Sequence, residues 1–358
     1  MNLLTPGPTP LPPSVLKAAA EPILHHRTRE FGKLFDQVLE DLKTVYRTKS
    51  TVLLMTCSGT GTMESAVVNL LSPGDKTLVH STGSFGDRFA AIHRAYGLQP
   101  DVVAEEWGHA ADPEKLRKAL RSAKGWKAVY LQHTDTSTGI VNDLQTLART
   151  VREESDALVV VDAVSGLGAE ELETDAWKLD VTLSASQKGL MAPPGLGFAA
   201  VSERAWKAVE TAKLPRFYYD WPRMRKSLQA SETPFTPAVS LVAAQAEALR
   251  LILQEGLENV WKRTASLAAF TRGEMGRLGL KLFPKDPADI LTAACFPEGV
   301  DGKALLNALR EEDRICIAGG QEKLAGKILR LAHMGFIRKP DVEAGIAALA
   351  RRLPKVRA

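Results

Sequence analysis

From Thr51 onward the chain alternates short, β-rich apolar runs with longer stretches whose apolar residues recur at helical spacing. This repetition restricts the fold more than any other feature. The runs are TVLLMT (51–56), KTLVHS (76–81), WKAVYLQH (126–133), LVVVDAV (158–164), VTLSAS (181–186) and LGFAAVS (196–202). Between most of them lie amphipathic segments such as DPEKLRKALRSA and DLQTLARTVREES, each with one apolar helical face. Strands that are apolar at nearly every position have no wet face. They belong in a mainly parallel sheet covered by helices on both sides, an α/β architecture. With 358 residues and 45% hydrophobic content, the chain has enough apolar surface for a large domain and a smaller one.

Beyond LPRFYYDWPRM the pattern changes. A long helical stretch from about Pro237 to Gly256 leads into ENVWKRTASLAAFTRGEMGRLG, and short strands follow near Ile290–Phe296, Ile315–Ala318 and Lys327–Ala332, separated by helices. The change predicts a smaller α+β domain with the long helix as its bridge. The expected divisions are an N-terminal arm at 1–20, a large domain at 21–240 and a small C-terminal domain at 241–358. Within the arm, TPGPTPLPPS is rich in proline, which favours an extended linker unless it meets a site.

Forty-six basic and forty-two acidic residues leave a net charge of +4. The two signs alternate along the chain, so no nucleic-acid partner is expected. The C-terminal RRLPKVRA reads as a solvated tail. Cys57, Cys295 and Cys316 lie far apart without C-x-x-C spacing, which supports neither a disulfide framework nor a zinc site and points to a reducing compartment. The first twenty residues lack a basic start and an unbroken apolar run. No segment approaches the roughly 20 apolar residues that a membrane helix needs, so no membrane partner is expected and the expected location is the cytoplasm.

In an open parallel sheet, ligands bind beyond the carboxyl ends of the strands, so the residues that follow each apolar run are the ones to inspect. After TVLLMT come Ser58, Gly59, Thr60, Gly61 and Thr62, directly ahead of a helical pattern. Free backbone N–H groups, a positive dipole end and hydroxyls would there form a phosphate seat, or simply cap the helix with nothing bound. Asp162 ends LVVVDAV, where a carboxylate is costly to bury without a partner. It either caps a helix or pairs with a protonated ring nitrogen of a cofactor. Lys188 follows VTLSAS and precedes APPGLG, a confined place for an ammonium. Desolvation lowers a lysine's proton affinity and prepares the amine to attack a carbonyl and form a Schiff base. An anion seat, a carboxylate and an amine together describe pyridoxal 5'-phosphate.

With these residues assembled, the sequence resembles the class V aminotransferases of the fold-type I pyridoxal phosphate enzymes, most closely the alanine/serine–glyoxylate transaminases. The resemblance runs through LLTPGPTPLPPSV, HHRTREF, SGTGTMESAV, STGSFGDR, HTDTSTGIVNDL, VVVDAVSGLG, SASQKGLMAPPGLG and ILRLAHMG. It implies a fold-type I large domain with a seven-stranded, mainly parallel sheet. It also assigns Phe85 as the ring that stacks on the cofactor, Thr136 as a hydroxyl beside the cofactor ring, Gln187 as a neighbour of the phosphate and Arg330 as the binder of the substrate carboxylate. A homodimer is implied, with active sites at the interface and Thr236 reaching the partner's phosphate. The implied reaction moves an amino group between alanine or serine and glyoxylate or pyruvate. Two other readings keep the cofactor: a cysteine desulfurase or related lyase, for which Cys316 would be the reactive thiol, and a pyridoxal-binding subunit without activity.

Overall fold

A computed structural model describes residues 1–355. Its centre is a seven-stranded sheet whose strands lie in the spatial order Thr51–Thr56, Leu196–Val201, Val181–Ala185, Leu158–Asp162, Trp126–Gln132, Lys76–Ser81 and Asp101–Ala104. All of them run parallel except Leu196–Val201, which is antiparallel to both neighbours. Six of the seven coincide with the apolar runs; Asp101–Ala104 was not among them.

The pleat divides the core in two, because successive side chains of a strand point to opposite faces. Val52, Leu54, Val129, Leu131, Val159 and Val161 pack into one cluster with the Arg29–Tyr46 and Val239–Glu255 helices. Leu53, Met55, Ala128, Tyr130, Leu158 and Val160 pack on the other face with the Gly59–Leu70 helix. Both faces being dry, the strands carry apolar residues at odd and even positions alike.

A second sheet of four antiparallel strands, in the order Lys281–Leu282, Leu291–Cys295, Ile328–Ala332 and Ala318–Gly319, has its own core around Leu305, Leu329, Leu331 and Leu349. Val239–Glu255, expected as the bridge, buries its apolar face against the first core. The helix after it, Leu257–Arg277, does the bridging: Leu257 and Val260 join the first core, Leu267 and Met275 the second. The expected strand Ile315–Ala318 is split. Ile315–Cys316 pairs in parallel with Asn2–Leu3 of the arm, and Ala318–Gly319 joins the second sheet.

The arm therefore does not hang free. Leu4 donates to the Cys316 carbonyl and accepts from the Ala332 N–H, both at 2.9 Å, and residues Pro13–Ala20 form a helix that packs along Val239–Glu255. At the other end, Arg351 and Arg352 of the expected tail lie on a helix and pair with Asp313; the last three residues of that run lie outside the described residues. Among the described residues no helix is long and apolar enough to cross a membrane.

Candidate active site

The reversed strand places Lys188. Antiparallel neighbours can be joined by a short connection, whereas parallel ones need a long crossover, and residues 186–195 make such a return. Ser186 holds it closed: its Oγ donates to the Pro193 carbonyl at 2.6 Å and accepts from the Leu196 N–H at 3.2 Å, while its own carbonyl accepts from the Ala192 N–H at 3.0 Å. Lys188 projects from this brace into a cavity of about 440 Å³ beyond the carboxyl ends of the strands. Ser58, Gly59, Thr60, Phe85, Thr136, Asp162, Gln187 and Arg330 line the same cavity.

Burial pushes the Lys188 amine down to about 8. Arg330 adds repulsion, and Asp162 and Asp135 oppose it. The side chain as a whole keeps some exposure to the cavity, and its Nζ donates to the Pro6 carbonyl at 2.5 Å. Asp162 is 5% exposed. Burial raises its carboxyl to about 6, against the pull of the Val164 N–H, which donates to it at 2.9 Å. No helix starts at Asp162; the chain continues in turns, so the capping alternative does not describe this carboxylate.

The helix Gly59–Leu70 starts at Ser58, whose side chain makes no capping bond. The first N–H groups of that helix and the Ser58 hydroxyl are thus available to an anion in the cavity. Among the described residues the Gln187 side-chain oxygen has no partner, so the protein does not hold that end of its amide. Phe85 sits in the first turn of the Ser84–Ala95 helix. Its backbone N–H donates to Asp135 at 3.0 Å, and the same carboxylate accepts from the Ser137 N–H at 3.0 Å and hydroxyl at 2.5 Å. Asp135 so fixes the ring's starting point.

Arg330 lies on the Ile328–Ala332 strand and is 6% exposed. Its Nε donates to the Gly319 carbonyl at 2.8 Å and Nη1 to the Thr136 carbonyl at 2.7 Å. No carboxylate of the described residues pairs with it, and burial lowers it to about 10. A guanidinium oriented by two carbonyls with no counter-ion suits an incoming carboxylate.

Thr236 is elsewhere. It is exposed and lines a separate small cleft with Tyr218 and Phe235. In its own chain this segment lies near the seat, since the Ala238 N–H donates to Thr56 Oγ1 at 3.1 Å. Cys316 is also outside the cavity, its backbone tied to the arm by the pairing with Leu3. A thiol on a paired strand is not the mobile nucleophile that a desulfurase needs.

Sequence reasoning missed three groups of residues. Arg88 lines the cavity three positions beyond Phe85; that i, i+3 spacing on a helix was a signal that it shares the ring's face. Asp135 carries no periodic signal, and its role emerges only from the turn around it. The arm residues Thr5 to Pro8 form one wall of the cavity. The Thr9 N–H and hydroxyl donate to the carbonyls of Gln187 and Lys188 at 3.1 and 3.0 Å. Only folding brings these segments together.

Known proteins match this architecture. Residues 1–339 fit the family described as Aminotransferase class-V. The chain is 42% identical over 353 residues, 98% of its length and 92% of the other's, to a protein of Anabaena cylindrica named soluble hydrogenase 42 kDa subunit. It is 36% identical over 358 residues, 97% and 89% of the two lengths, to serine–glyoxylate aminotransferase of Methylorubrum extorquens. A solved aspartate aminotransferase of subgroup IV from Thermus thermophilus superposes with a TM-score of 0.92 at 36% identity, covering 99% of each chain. The cavity, its lysine and its sheet thus sit in a chain that belongs to the class V aminotransferases, a family of fold-type I enzymes that use pyridoxal phosphate.

Proposed function

We propose that the chain transfers an amino group from a small amino acid, alanine or serine, to a small 2-oxo acid, glyoxylate or pyruvate, with Lys188 as the covalent anchor of the cofactor. The observation that carries this reading is the meeting in one cavity of a lysine of lowered proton affinity, a buried carboxylate, an anion seat and an unpaired arginine. When bound, pyridoxal phosphate supplies a carbonyl carbon open to amines and a ring that takes up electrons from the substrate's Cα.

The protein's own groups do the rest. Ser58, Gly59 and Thr60 receive the phosphate, and Gln187 stands beside it. Phe85 offers its face to the ring, Thr136 its hydroxyl, and Asp162 holds a proton at the ring nitrogen. Arg330 fixes the substrate's carboxylate, so that the Cα hydrogen faces Nζ of Lys188. The Lys188 amine, lowered to about 8 by burial, would serve as the general base that takes the Cα hydrogen. Arm residues Thr5 to Pro8 wall part of the cavity, which favours small side chains.

A homodimer completes the proposal, with Thr236 serving the partner's phosphate. Phe217 is 69% and Tyr218 42% exposed, and the Tyr218 ring stacks on Phe235 at 5.4 Å, beside Thr236. An exposed aromatic cluster of this kind suits an interface.

The test is spectroscopic. Amino acids added one at a time to protein carrying the cofactor should shift its visible absorbance band to that of the aminated form with alanine or serine, and glyoxylate or pyruvate should restore it. A response to aspartate alone would replace the donor, and no response to any amino acid would remove the reaction. Lys188→Ala should keep cofactor by noncovalent contacts yet lose turnover, and borohydride should leave no adduct in its peptide map.

A further inference from the structure

The residues assigned to the phosphate so far carry no full positive charge. Ser58, Gly59, Thr60, Gln187 and Thr236 are neutral, and a helix N-terminus contributes about half an elementary charge. A phosphate monoester brings about −1.5 to −2 near neutral pH. Lys188 is committed to the cofactor's carbonyl end, and Arg330 points its Nε and Nη1 at the carbonyls of Gly319 and Thr136. The imbalance calls for another cation within the cavity wall.

Arg88 is placed for it. It lines the cavity, and its Nη1 donates to Thr60 Oγ1 at 3.0 Å. Its guanidinium carbon lies 4.6 Å from the centroid of the Phe85 ring. No carboxylate of the described residues forms an ion pair with it; the adjacent Asp87 takes the Ser81 hydroxyl at 2.6 Å instead. Its remaining N–H groups have no protein partner among the described residues. An arginine can stack its face on an aromatic ring while its edge donates to an oxyanion, which a lysine cannot.

We propose that Arg88 is the cationic member of the phosphate seat: its edge pairs with the cofactor's phosphate next to Thr60, and its face steadies Phe85 against the pyridine ring. The inference rests on the cofactor reading above and adds to it a residue that selects phosphorylated over unphosphorylated pyridoxal. Thr60 is the joint of the arrangement, since its hydroxyl orients the guanidinium and its backbone belongs to the same seat.

The experiment compares pyridoxal phosphate with pyridoxal, which has the same carbonyl and ring but no phosphate. Dissociation constants are measured by fluorescence or absorbance for the unaltered apoprotein and for Arg88→Gln. The proposal expects the variant to bind pyridoxal phosphate about ten- to a hundredfold more weakly, the loss of a charge-assisted contact, with a clearly smaller loss for pyridoxal, which keeps the ring that Phe85 meets but has no phosphate. Equal losses for both compounds would reduce Arg88 to a brace for Phe85, and no loss for either would leave it outside the seat; both results overturn the proposal. Should Arg88→Gln fail to fold, the unaltered protein gives the answer by arginine labelling with phenylglyoxal and peptide mapping. Pyridoxal phosphate should shield Arg88 and pyridoxal should not; equal shielding, or none, rejects the assignment. An unaltered protein that binds neither compound would instead reject the cofactor reading itself.

Discussion

At the scale of single residues, burial penalises the charged forms of both Asp162 and Lys188, and the two tilt the stability of the cofactor-free protein in opposite directions as pH rises. Asp162 holds its proton up to about pH 6 in the folded chain against 3.8 in the unfolded one. Between those values the folded state binds more protons, so stability falls as pH rises. Lys188 releases its proton near 8 in place of 10.5, so the unfolded state binds more protons between these values and stability recovers across that window. Asp162→Asn should therefore leave the apoprotein more stable than the parent at pH 7, by on the order of 2 kcal/mol. That margin should shrink as pH is lowered toward 4, read from denaturant midpoints; a margin independent of pH would mean that Asp162 is not the group responsible. For Arg330, removal of the fork should weaken substrate capture more than chemistry. Arg330→Gln is expected to raise the donor's KM about ten- to a hundredfold with a smaller change in kcat, and Arg330→Lys to recover part of it, measured by steady-state kinetics. Lys188 and Asp162 were legible in the sequence because a charge at the end of an apolar strand stands out chemically. Asp135 was not, since its carboxylate is held by four hydrogen bonds from three residues, two of which lie about fifty positions away.

Among the elements, the central strands were read from their apolar content, and the one omission from that sheet follows from the same physics. Asp101–Ala104 is a short edge strand with most of its residues exposed, so it lacks the dry faces that mark the others. The bridging helix was misplaced for a related reason: Val239–Glu255 and Leu257–Arg277 are separated by a single residue, Gly256, at φ 84°, and periodicity alone does not tell which of two adjoining helices leaves the first core. The arm is the element least visible beforehand. Proline suppresses periodic pattern, and contacts with residues about 180 positions away have no local trace. Its importance is open to a single substitution. Gly7 has φ +139°, and a Cβ there would come within 2.5 Å of Lys188 Cε. Gly7→Ala should abolish most turnover, at least tenfold, through backbone strain and crowding of the amine, while circular dichroism stays close to that of the parent. Full activity in this variant would show that the arm leaves the amine free.

For the whole molecule, the expected particle is twice the 38.9 kDa chain, and light scattering behind a sizing column measures it. A fully active monomer would take Thr236 and the aromatic cluster out of the account. Fold class was accessible from sequence because it depends on repeated local pattern summed over many residues. The proposed assembly left no such pattern, because the surface proposed for it, including Phe217 and Tyr218, differs from other exposed side chains only in where folding groups them.

The one strand that runs against its neighbours also sets where such a protein can be altered. A parallel successor would have needed a crossover, a length of chain with slack to absorb new residues. The return at 186–195 has none, since Ser186 ties both of its ends. Changes of substrate range are consequently to be sought in the arm and near Ala318 and Gln321, which wall the cavity from outside the sheet. An insertion at the lysine's corner is expected to break the Ser186 brace and displace the amine.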